Sequence, residues 1–373
     1  MRGALLLLPL LAAVAGSAAP APKAPVAGGW TMFRGDPQLT GRAAGELPAK
    51  LRPLWTFQAG KGISSTAAIV DGTVYVGSLD GQFYALDLAR GTLRWKHKAA
   101  DEIKSSPSVR GGVVYFGDES GKLHALDAKT GKVRWTFQAE AAIVSSVNFA
   151  AGCVLFGSYD QSIYCLAERS GKVVWKVETD GYVHGTPAVA DDTVIATGCD
   201  GSLRILRARD GKELHRVALG DYVAGSPAVA GGRAFVGSFA NQVVGIDLAS
   251  GRVLWRYEHP VRKFPYYSSA AVAGSTVVIG GRDKMVHALD AASGKELWAW
   301  SARSAVDASP VIAGSRVFAA AKDGSLFALD LKTGKPGWRF EAGAPVEASP
   351  SIAGGRLVIG TMDGSLYCFG APG

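Results

Sequence analysis

Apolar and polar residues follow one another along this chain in short runs that are separated by turn residues, and no sustained helical period is present. One unit consists of residues 105–117, then 122–127, then 132–135, and these runs are rich in β-branched and aromatic residues. Turns between them carry pairs such as Asp80-Gly81, which tolerate the backbone of a tight hairpin. The pattern therefore predicts successive hairpins of short strands.

A tryptophan recurs in almost every unit at a spacing of 40 residues. A fixed period of this size indicates a repeat architecture, and four strands per unit make each unit a propeller blade. His215 occupies the one vacant position, and three extra residues precede Trp298. We expect these large side chains to fill the gaps between neighbouring blades as structural rather than catalytic residues. The tryptophans are Trp55, Trp95, Trp135, Trp175, Trp255, Trp298 and Trp338.

The last unit ends at Phe369 without its tryptophan strand. The chain contains eight inner three-strand sets, so one outer strand is missing from the ring. Residues 54–57, which lie before the first complete unit, can supply that strand and remove an exposed sheet edge. The sequence thus predicts an all-β fold: an eight-bladed β-propeller of four-stranded antiparallel blades, closed by an N-terminal strand that completes the last blade.

The N-terminus has the pattern of an export signal, with Arg2 followed by an apolar run too short to span a bilayer. We expect a signal peptide over residues 1–19, an N-terminal linker over 20–50 and the propeller over 51–373. The first cysteine is Cys153, so we expect no N-terminal lipid, and no later segment has the length of a transmembrane span. These features predict a periplasmic or secreted protein.

Charge and cysteine content narrow the function further. The net charge of +8 is spread along the chain without a long basic run, which argues against nucleic-acid binding. Four cysteines are too few for a disulfide framework in a chain of 373 residues. Cys165 and Cys368 stand where other units have alanine, which favours their packing as small residues. Cys153 and Cys165 lie on neighbouring strands of one hairpin, however, so a disulfide between them stays open.

Two units match the motif A-x-D-x-x-T-G-x-x-x-W closely, at residues 125–135 and 328–338. This motif resembles the PQQ-like, or quinoprotein-type, propeller repeat, and the resemblance extends from Trp55 to Phe369. It implies the propeller fold but two kinds of function. The family contains alcohol and sugar dehydrogenases that use pyrroloquinoline quinone (PQQ), and it contains non-catalytic scaffolds of the BamB type that act in outer-membrane protein assembly.

The resemblance to the scaffolds agrees better with this chain. The similar dehydrogenases are longer and place an adjacent pair of cysteines over the quinone, whereas no two cysteines are adjacent here. We therefore expect a monomeric binding scaffold for a protein partner in the cell envelope, with outer-membrane protein assembly as one role, no catalytic residue and no cofactor. The alternatives are a small quinoprotein oxidoreductase that binds PQQ with Ca²⁺, and a periplasmic ligand-binding or sensor propeller for a sugar or polymer.

A column of variable residues precedes the inner strand of each blade and should ring one mouth of the central channel. Asp307 and Glu347 belong to neighbouring blades and could share a cation. Two carboxylates are fewer oxygen ligands than Ca²⁺ usually takes, so we favour a solvated rim of mixed charge and assign no metal site. His184 is expected at the surface rather than as a base or ligand. The candidate mouth residues are Lys104, His184, Tyr267, Asp307 and Glu347, beside Ser64, Val144 and Ala224 in the same column.

The insertion at residues 258–267 is the second irregularity, because it breaks the 40-residue spacing between blades five and six. Exposed arginine together with aromatic residues is typical of protein interfaces. The alternative is that Phe264 and the two tyrosines fold down and plug the mouth of the channel. The candidate partner-binding residues are Arg262, Lys263, Phe264 and Tyr266.

Overall fold

The computed structural model describes residues 29–371, which form eight four-stranded antiparallel sheets arranged as the blades of a closed ring. Inner strands of successive blades contact one another around a central channel. Among these residues there is no helix long and apolar enough to cross a membrane. The predicted signal peptide and the first part of the predicted linker lie outside the described residues.

The strands of blades 1 to 7 follow one another in sequence from the channel to the outer edge. Blades 1 to 4 contain β2 (Ala68–Val70), β3 (Thr73–Gly77), β4 (Gln82–Asp87) and β5 (Leu93–Lys98); β6 (Ser108–Arg110), β7 (Val113–Gly117), β8 (Lys122–Asp127) and β9 (Val133–Gln138); β10 (Asn148–Ala150), β11 (Cys153–Ser158), β12 (Ser162–Ala167) and β13 (Val173–Glu178); β14 (Ala188–Ala190), β15 (Thr193–Thr197), β16 (Ser202–Arg207) and β17 (Glu213–Ala218).

Blades 5 to 8 repeat this arrangement. They contain β18 (Ala228–Ala230), β19 (Arg233–Gly237), β20 (Val243–Asp247) and β21 (Val253–Tyr257); β22 (Ala271–Ala273), β23 (Thr276–Gly280), β24 (Met285–Asp290) and β25 (Glu296–Ser301); β26 (Val311–Ala313), β27 (Arg316–Ala320), β28 (Ser325–Asp330) and β29 (Pro336–Glu341); β30 (Ser351–Ala353), β31 (Arg356–Gly360), β32 (Ser365–Gly370) and β1 (Arg52–Gln58).

Blade 8 is the point at which the ring closes. The N-terminal strand β1 pairs antiparallel with the C-terminal strand β32, with Trp55 opposite Cys368 and Phe57 opposite Leu366. This pairing gives blade 8 the outer strand that its own repeat lacks. The predicted eight-bladed fold and its closure by an N-terminal strand are therefore confirmed.

Neighbouring blades are joined by the repeating tryptophans. The indole Nε1 of Trp95 donates to the carbonyl of Ala128 in the next blade, 3.1 Å away, and the same bond recurs around the ring. The ring of Trp95 lies on Gly131, where an added Cβ would approach it to 2.6 Å. His215 takes the tryptophan position between blades 4 and 5 and places its Nε2 3.1 Å from the carbonyl of Ala249. The glycine of each turn is needed because the aromatic ring of the preceding blade occupies the space of a side chain.

The cysteines of blade 3 differ from the favoured expectation. Cys153 and Cys165 are joined by a disulfide, with their Cα atoms 5.3 Å apart and both residues buried. Cys165 thus does not simply replace the alanine of other blades, although it occupies that position opposite Trp175. Cys368, at the same position in blade 8, is free and buried as expected.

Residues 30–48, which we expected to belong to the linker, instead pack inside the ring; we call them the plug segment. Trp30 pairs with Ile69 of β2 through two backbone bonds of 2.8 Å, and Trp30, Met32 and Leu39 are buried. Carbonyls farther along the segment accept hydrogen bonds from the inner strands of five other blades. These bonds run from Val109, Val189, Val229, Val272 and Ile312 to Thr31, Pro37, Gln38, Thr40 and Gly41, respectively. The plug segment satisfies backbone N–H groups that would otherwise face the channel. It is therefore part of the folded ring rather than of the linker.

Arg34 holds the plug segment to the blades by its side chain. Its guanidinium is fully buried and donates to the carbonyls of Ala270, at 3.0 Å, and Pro310, at 2.5 Å. Burial lowers the pKa of Arg34 to about 9, although the nearby Asp36 carboxylate acts in the opposite direction. Gly41 passes so close to the guanidinium that a Cβ there would collide with it. The plug segment is thus fixed by both backbone and side-chain bonds.

Candidate functional site

The channel opens at one mouth into a cavity of about 400 Å³. All eight residues of the predicted rim column line it, so the structure places Lys104, His184, Tyr267, Asp307 and Glu347 around a single opening. Phe33 of the plug segment also lines the cavity and contributes to its floor. Each rim residue is held just ahead of a short inner strand, so the position of its backbone follows from the repeat.

A closed ring of hydroxyl groups lies below the rim. In each blade a serine or threonine hydroxyl accepts a hydrogen bond from the backbone N–H of the corresponding residue in the preceding blade, at 2.7 to 3.1 Å. The eight bonds close on themselves when Ser349 donates to Thr66. All of these residues line the cavity, and we call them the hydroxyl ring: Thr66, Ser106, Ser146, Thr186, Ser226, Ser269, Ser309 and Ser349.

Aromatic side chains extend from one side of the mouth, where His184 and Tyr267 line the cavity. Successive rings are in contact across blades 3 to 6, from the stacked pair of Tyr182 and Tyr159, with centroids 4.8 Å apart, to the pair of Phe239 and Tyr222 at 6.3 Å. Between them the centroid distances are 5.9 to 6.3 Å. We call this set the aromatic arc; in spatial order it consists of Tyr182, Tyr159, His184, Tyr267, Phe239 and Tyr222.

His184 lies at the centre of the aromatic arc rather than free at the surface as expected. Its Nδ1 is 2.7 Å from the hydroxyl of Tyr159, and its Nε2 is 3.1 Å from the hydroxyl of Tyr267. Burial lowers the pKa of His184 to about 4, with a further contribution from Lys104. The imidazole is therefore neutral near pH 7, and one tyrosine donates to it while the other accepts from it, whichever tautomer is present.

Charged side chains form the other side of the mouth, and they are paired with one another. Lys322 lies 3.3 Å from the carboxylate of Asp307 and 3.7 Å from that of Glu347, so a lysine occupies the position where a shared cation was considered. Arg282 also pairs with Asp307, at 3.2 Å, while its guanidinium lies over the ring of Tyr267. Sequence reasoning missed Arg282 and Lys322 because they belong to hairpin turns of the blades and not to the rim column.

The mouth does not fit a quinone held by Ca²⁺. Ca²⁺ takes six to eight oxygen ligands, whereas the two carboxylates available here already neutralise Lys322 and Arg282. Among the described residues, no group of three or more histidine, cysteine or acidic side chains could hold a metal ion. The free cysteines Cys199 and Cys368 lie in different blades and cannot form an adjacent pair. The residues of the mouth are better suited to hydrogen bonding and aromatic stacking than to holding this cofactor.

The insertion at residues 258–267 is an ordered loop beside the mouth. Arg262 donates to the carbonyl of Asp283 at 3.1 Å, and Lys263 pairs with Glu258 at 3.1 Å. Phe264 is 50% exposed, and Val261, which we had not singled out, is 82% exposed.

Tyr266 does not belong to the exposed surface of this loop, where we expected it to bind a partner. Tyr266 is only 1% exposed and packs where other blades have isoleucine or valine, so it is not available to a partner. Its neighbour Tyr267 turns into the mouth, as the plugging alternative proposed, whereas Phe264 does not. The exposed candidates are therefore Arg262, Lys263 and Phe264.

The hydroxyl ring and the outer rings of the aromatic arc could have been found from the sequence. A serine or threonine stands two residues after the rim column in all eight units. Tyr182 and Tyr222 stand two residues before that column, where Gly62, Glu102 and Ala142 occupy the first three units. An alignment of the eight units would have shown the constant hydroxyl residue and the two tyrosines at these positions.

Comparison with family profiles places this repeat among known propellers. The family described as "Beta-alanine-activating enzyme, beta-propeller" matches residues 108–371, which is more than two thirds of the chain. The chain belongs to this β-propeller family. A second profile, described as "Outer membrane protein assembly factor BamB", matches residues 48–151. The expected resemblance to PQQ-like, BamB-type propellers is thus confirmed, whereas a search of the curated proteins gave no match.

Solved structures with the same fold include BamB, a quinohemoprotein alcohol dehydrogenase and a designed protein. BamB from Moraxella catarrhalis is 22% identical, with a TM-score of 0.75 over 86% of this chain and 98% of that one. The quinohemoprotein alcohol dehydrogenase from Comamonas testosteroni is 15% identical, with a TM-score of 0.81 over 92% and 81% of the two chains. The computationally designed Ika8 protein is 19% identical, with a TM-score of 0.77 over 86% and 100%. At these identities the likeness concerns the fold alone.

Proposed function

We propose that this protein is an exported, non-catalytic scaffold that holds a protein partner of the cell envelope on the loop of residues 258–267. The observation that carries the proposal is the exposure of Val261 and Phe264 on a loop whose backbone is fixed. Removing these two apolar side chains from water is favourable, so a partner that covers them gains binding free energy. Arg262 and Lys263 stand beside them and add the polar contacts of an interface rim.

The fixed backbone of the loop strengthens this proposal. The backbone N–H groups of Val261 and Arg262 both point at Nδ1 of His259, at 3.3 and 2.9 Å. The N–H of Tyr266 donates to the carbonyl of Ser238 at 3.2 Å, which ties the end of the loop to blade 5. Because the loop is already ordered, a partner that binds it does not have to supply the free energy of ordering it.

Outer-membrane protein assembly is the role that we propose for this scaffold. The support is the profile of an outer membrane protein assembly factor over residues 48–151 and the likeness of the fold to BamB. The quinoprotein alternative has the same support from the fold, but the paired carboxylates of the mouth do not favour it. Incubation with PQQ and Ca²⁺ followed by gel filtration tests it directly, and we expect no quinone absorbance to elute with the protein.

The test of the scaffold is capture of partners from periplasmic and outer-membrane extracts by the immobilised protein. Val261→Asp combined with Phe264→Ala places a charge in the apolar contact and removes its largest side chain. We expect capture to weaken by more than about thirtyfold, which corresponds to about 2 kcal/mol.

Matched controls make that test specific. Val133→Ala changes a side chain of similar exposure, at 52%, on the outer strand of blade 2, and we expect it to leave capture unchanged. Lys322→Met at the mouth should also leave capture unchanged. Full capture by the double variant, with an unaltered melting temperature, would place the interface elsewhere on the ring. Loss of capture with Lys322→Met alone would move it to the mouth.

A further inference from the structure

The hydroxyl ring presents free hydrogen-bond donors to the mouth. Each of its eight hydroxyl oxygens accepts a backbone N–H, but none of these hydroxyls donates to a protein group within residues 29–371. A serine or threonine hydroxyl carries one proton and two lone pairs, so the backbone bond leaves the proton unused. The floor of the cavity is therefore a circle of hydroxyl groups whose protons have no protein acceptor. Such a floor suits a ligand rich in oxygen.

The aromatic arc leads from His184 and Tyr267, which line the cavity, to two exposed tyrosines at its ends. Tyr182 is 51% exposed and Tyr222 is 59% exposed, on opposite ends of the arc. Their backbone carbonyls accept hydrogen bonds from Cys199, at 2.8 Å, and Phe239, at 2.9 Å, which holds both residues in place. A tyrosine offers a flat apolar face and a polar hydroxyl at low cost in conformational entropy, so fixed and exposed tyrosines are suited to stacking against a ligand.

The electrostatics of the mouth favour a ligand without net charge. Lys322 and Arg282 are neutralised by Asp307 and Glu347, and Lys104 pairs with Glu119 at 3.3 Å. Among the lining residues that the structure describes, no unpaired cation attracts an anion and no unpaired carboxylate attracts a cation. The paired groups still have N–H groups and lone pairs that can bind hydroxyls strongly.

We propose that the mouth of the channel binds a neutral oligosaccharide, with sugar rings stacked on Tyr182 and Tyr222 and sugar hydroxyls bonded to the hydroxyl ring. A sugar has an apolar C–H face and a rim of hydroxyls, which match the exposed tyrosine faces and the donors of the floor. The cavity of about 400 Å³ lies within the range of small-molecule sites. This activity is separate from the proposed scaffold, because the exposed loop residues Val261 and Phe264 belong neither to the hydroxyl ring nor to the aromatic arc.

The test is isothermal titration of the full mature protein with maltotetraose, cellotetraose and tetra-N-acetylchitotetraose, each up to about 10 mM. We expect at least one of them to bind with a dissociation constant below about 1 mM. Tyr182→Ala and Tyr222→Ala should each weaken that binding by about fivefold or more, whereas Tyr182→Phe, which keeps the ring, should retain most of it. Phe264→Ala is the matched control, because its side chain is equally exposed but lies outside the aromatic arc.

Several results would overturn the proposal. These are the absence of heat with all three sugars, equal weakening by Phe264→Ala, or tighter binding of an oligogalacturonate or of tetraalanine than of the neutral sugars. Partner capture by the scaffold is measured separately with the same variants. We expect Tyr182→Ala to leave capture intact and Phe264→Ala to leave sugar binding intact, so failure of one proposal is distinguishable from failure of the other.

Discussion

The two ends of the central channel are bordered by the same eight inner strands but are completed in different ways. At the level of Ile69 and its equivalents, the plug segment fills the channel and pairs with the strands through backbone N–H and C=O groups. At the mouth, none of residues 29–371 crosses the opening, which is defined by side chains that differ from blade to blade. One end is closed by backbone and the other is left open and lined by side chains.

This difference separates structural from functional residues. Backbone bonds form with almost any side chain, so the closed end contributes stability and does little to select a ligand. The backbone bonds at the mouth join the loops of the blades to one another, and the variable side chains of the mouth can change without disturbing the strands. We therefore expect substitutions at the closed end to alter the free energy of unfolding and those at the mouth to alter binding.

Removal of the N-terminal segments should have the largest effect. A protein that starts at Ala59 lacks both the plug segment and β1, which leaves blade 8 with an exposed edge and the inner strands with unpaired N–H groups. We expect the free energy of unfolding to fall by more than about 5 kcal/mol, as measured by chemical denaturation. A protein that starts at Leu51 keeps β1 and should lose less. Equal stability of the Ala59 protein and a protein that keeps the plug segment and β1 would contradict the closure of the ring.

Arg34→Ala should have the next largest effect. It removes a fully buried side chain and leaves the carbonyls of Ala270 and Pro310 without their donor. We expect a loss of about 3 kcal/mol in the free energy of unfolding. The control is Lys104→Ala at the mouth, which removes a partly exposed ion pair and should cost less than about 1 kcal/mol. A larger loss for Lys104→Ala than for Arg34→Ala would reverse the roles of the two ends.

Acid should destabilise the protein through His184. Its pKa is about 4 in the folded state against an ordinary value of 6.5, so between these values the unfolded chain binds a proton that the folded protein excludes. Stability should therefore fall as pH decreases from about 6.5 to about 4, with a contribution of about 3 kcal/mol from this residue. His184→Gln should flatten that part of the profile, as measured by unfolding at several pH values.

A second histidine, His287, responds to pH in the opposite direction to His184, so the effect of His184 must be measured as a difference from the His184→Gln variant. His287 is buried and bonded to Asp283 and Glu296, which raise its pKa, so its contribution is present at low pH and is lost as pH rises. The difference between the mature protein and His184→Gln isolates the histidine of the mouth. An unchanged slope in the variant would show that His184 is not the group that titrates.

Lys322→Met should have the smallest effect on stability. The lysine is partly exposed, and Arg282 remains beside Asp307 when Lys322 is lost. We expect a change of less than about 1 kcal/mol in thermal or chemical unfolding. A loss comparable with that of Arg34→Ala would show that the ion pairs of the mouth are structural.

The sequence by itself determined the repeat, the number of blades, the closing strand and the column of rim residues. Equivalent residues such as Trp95 and Trp135 meet the same surroundings in each blade, so their spacing alone predicted where they lie. The same argument placed Lys104, Asp307 and Glu347 at one mouth. Periodicity is sufficient wherever the environment of a residue is set by its own repeat and the next one.

Only the tertiary structure decided the features that do not repeat. The plug segment has no counterpart in the blades, and Arg34 reaches carbonyls 236 and 276 residues away, which no local pattern encodes. Tyr267 meets His184 across 83 residues because the small residue Ala224 stands between them in the rim column. Burial of Tyr266 and pairing of Cys153 with Cys165 likewise depended on which face each side chain turned toward. Such contacts arise when separate blades converge on one axis, and the period of the sequence does not specify which side chains meet there.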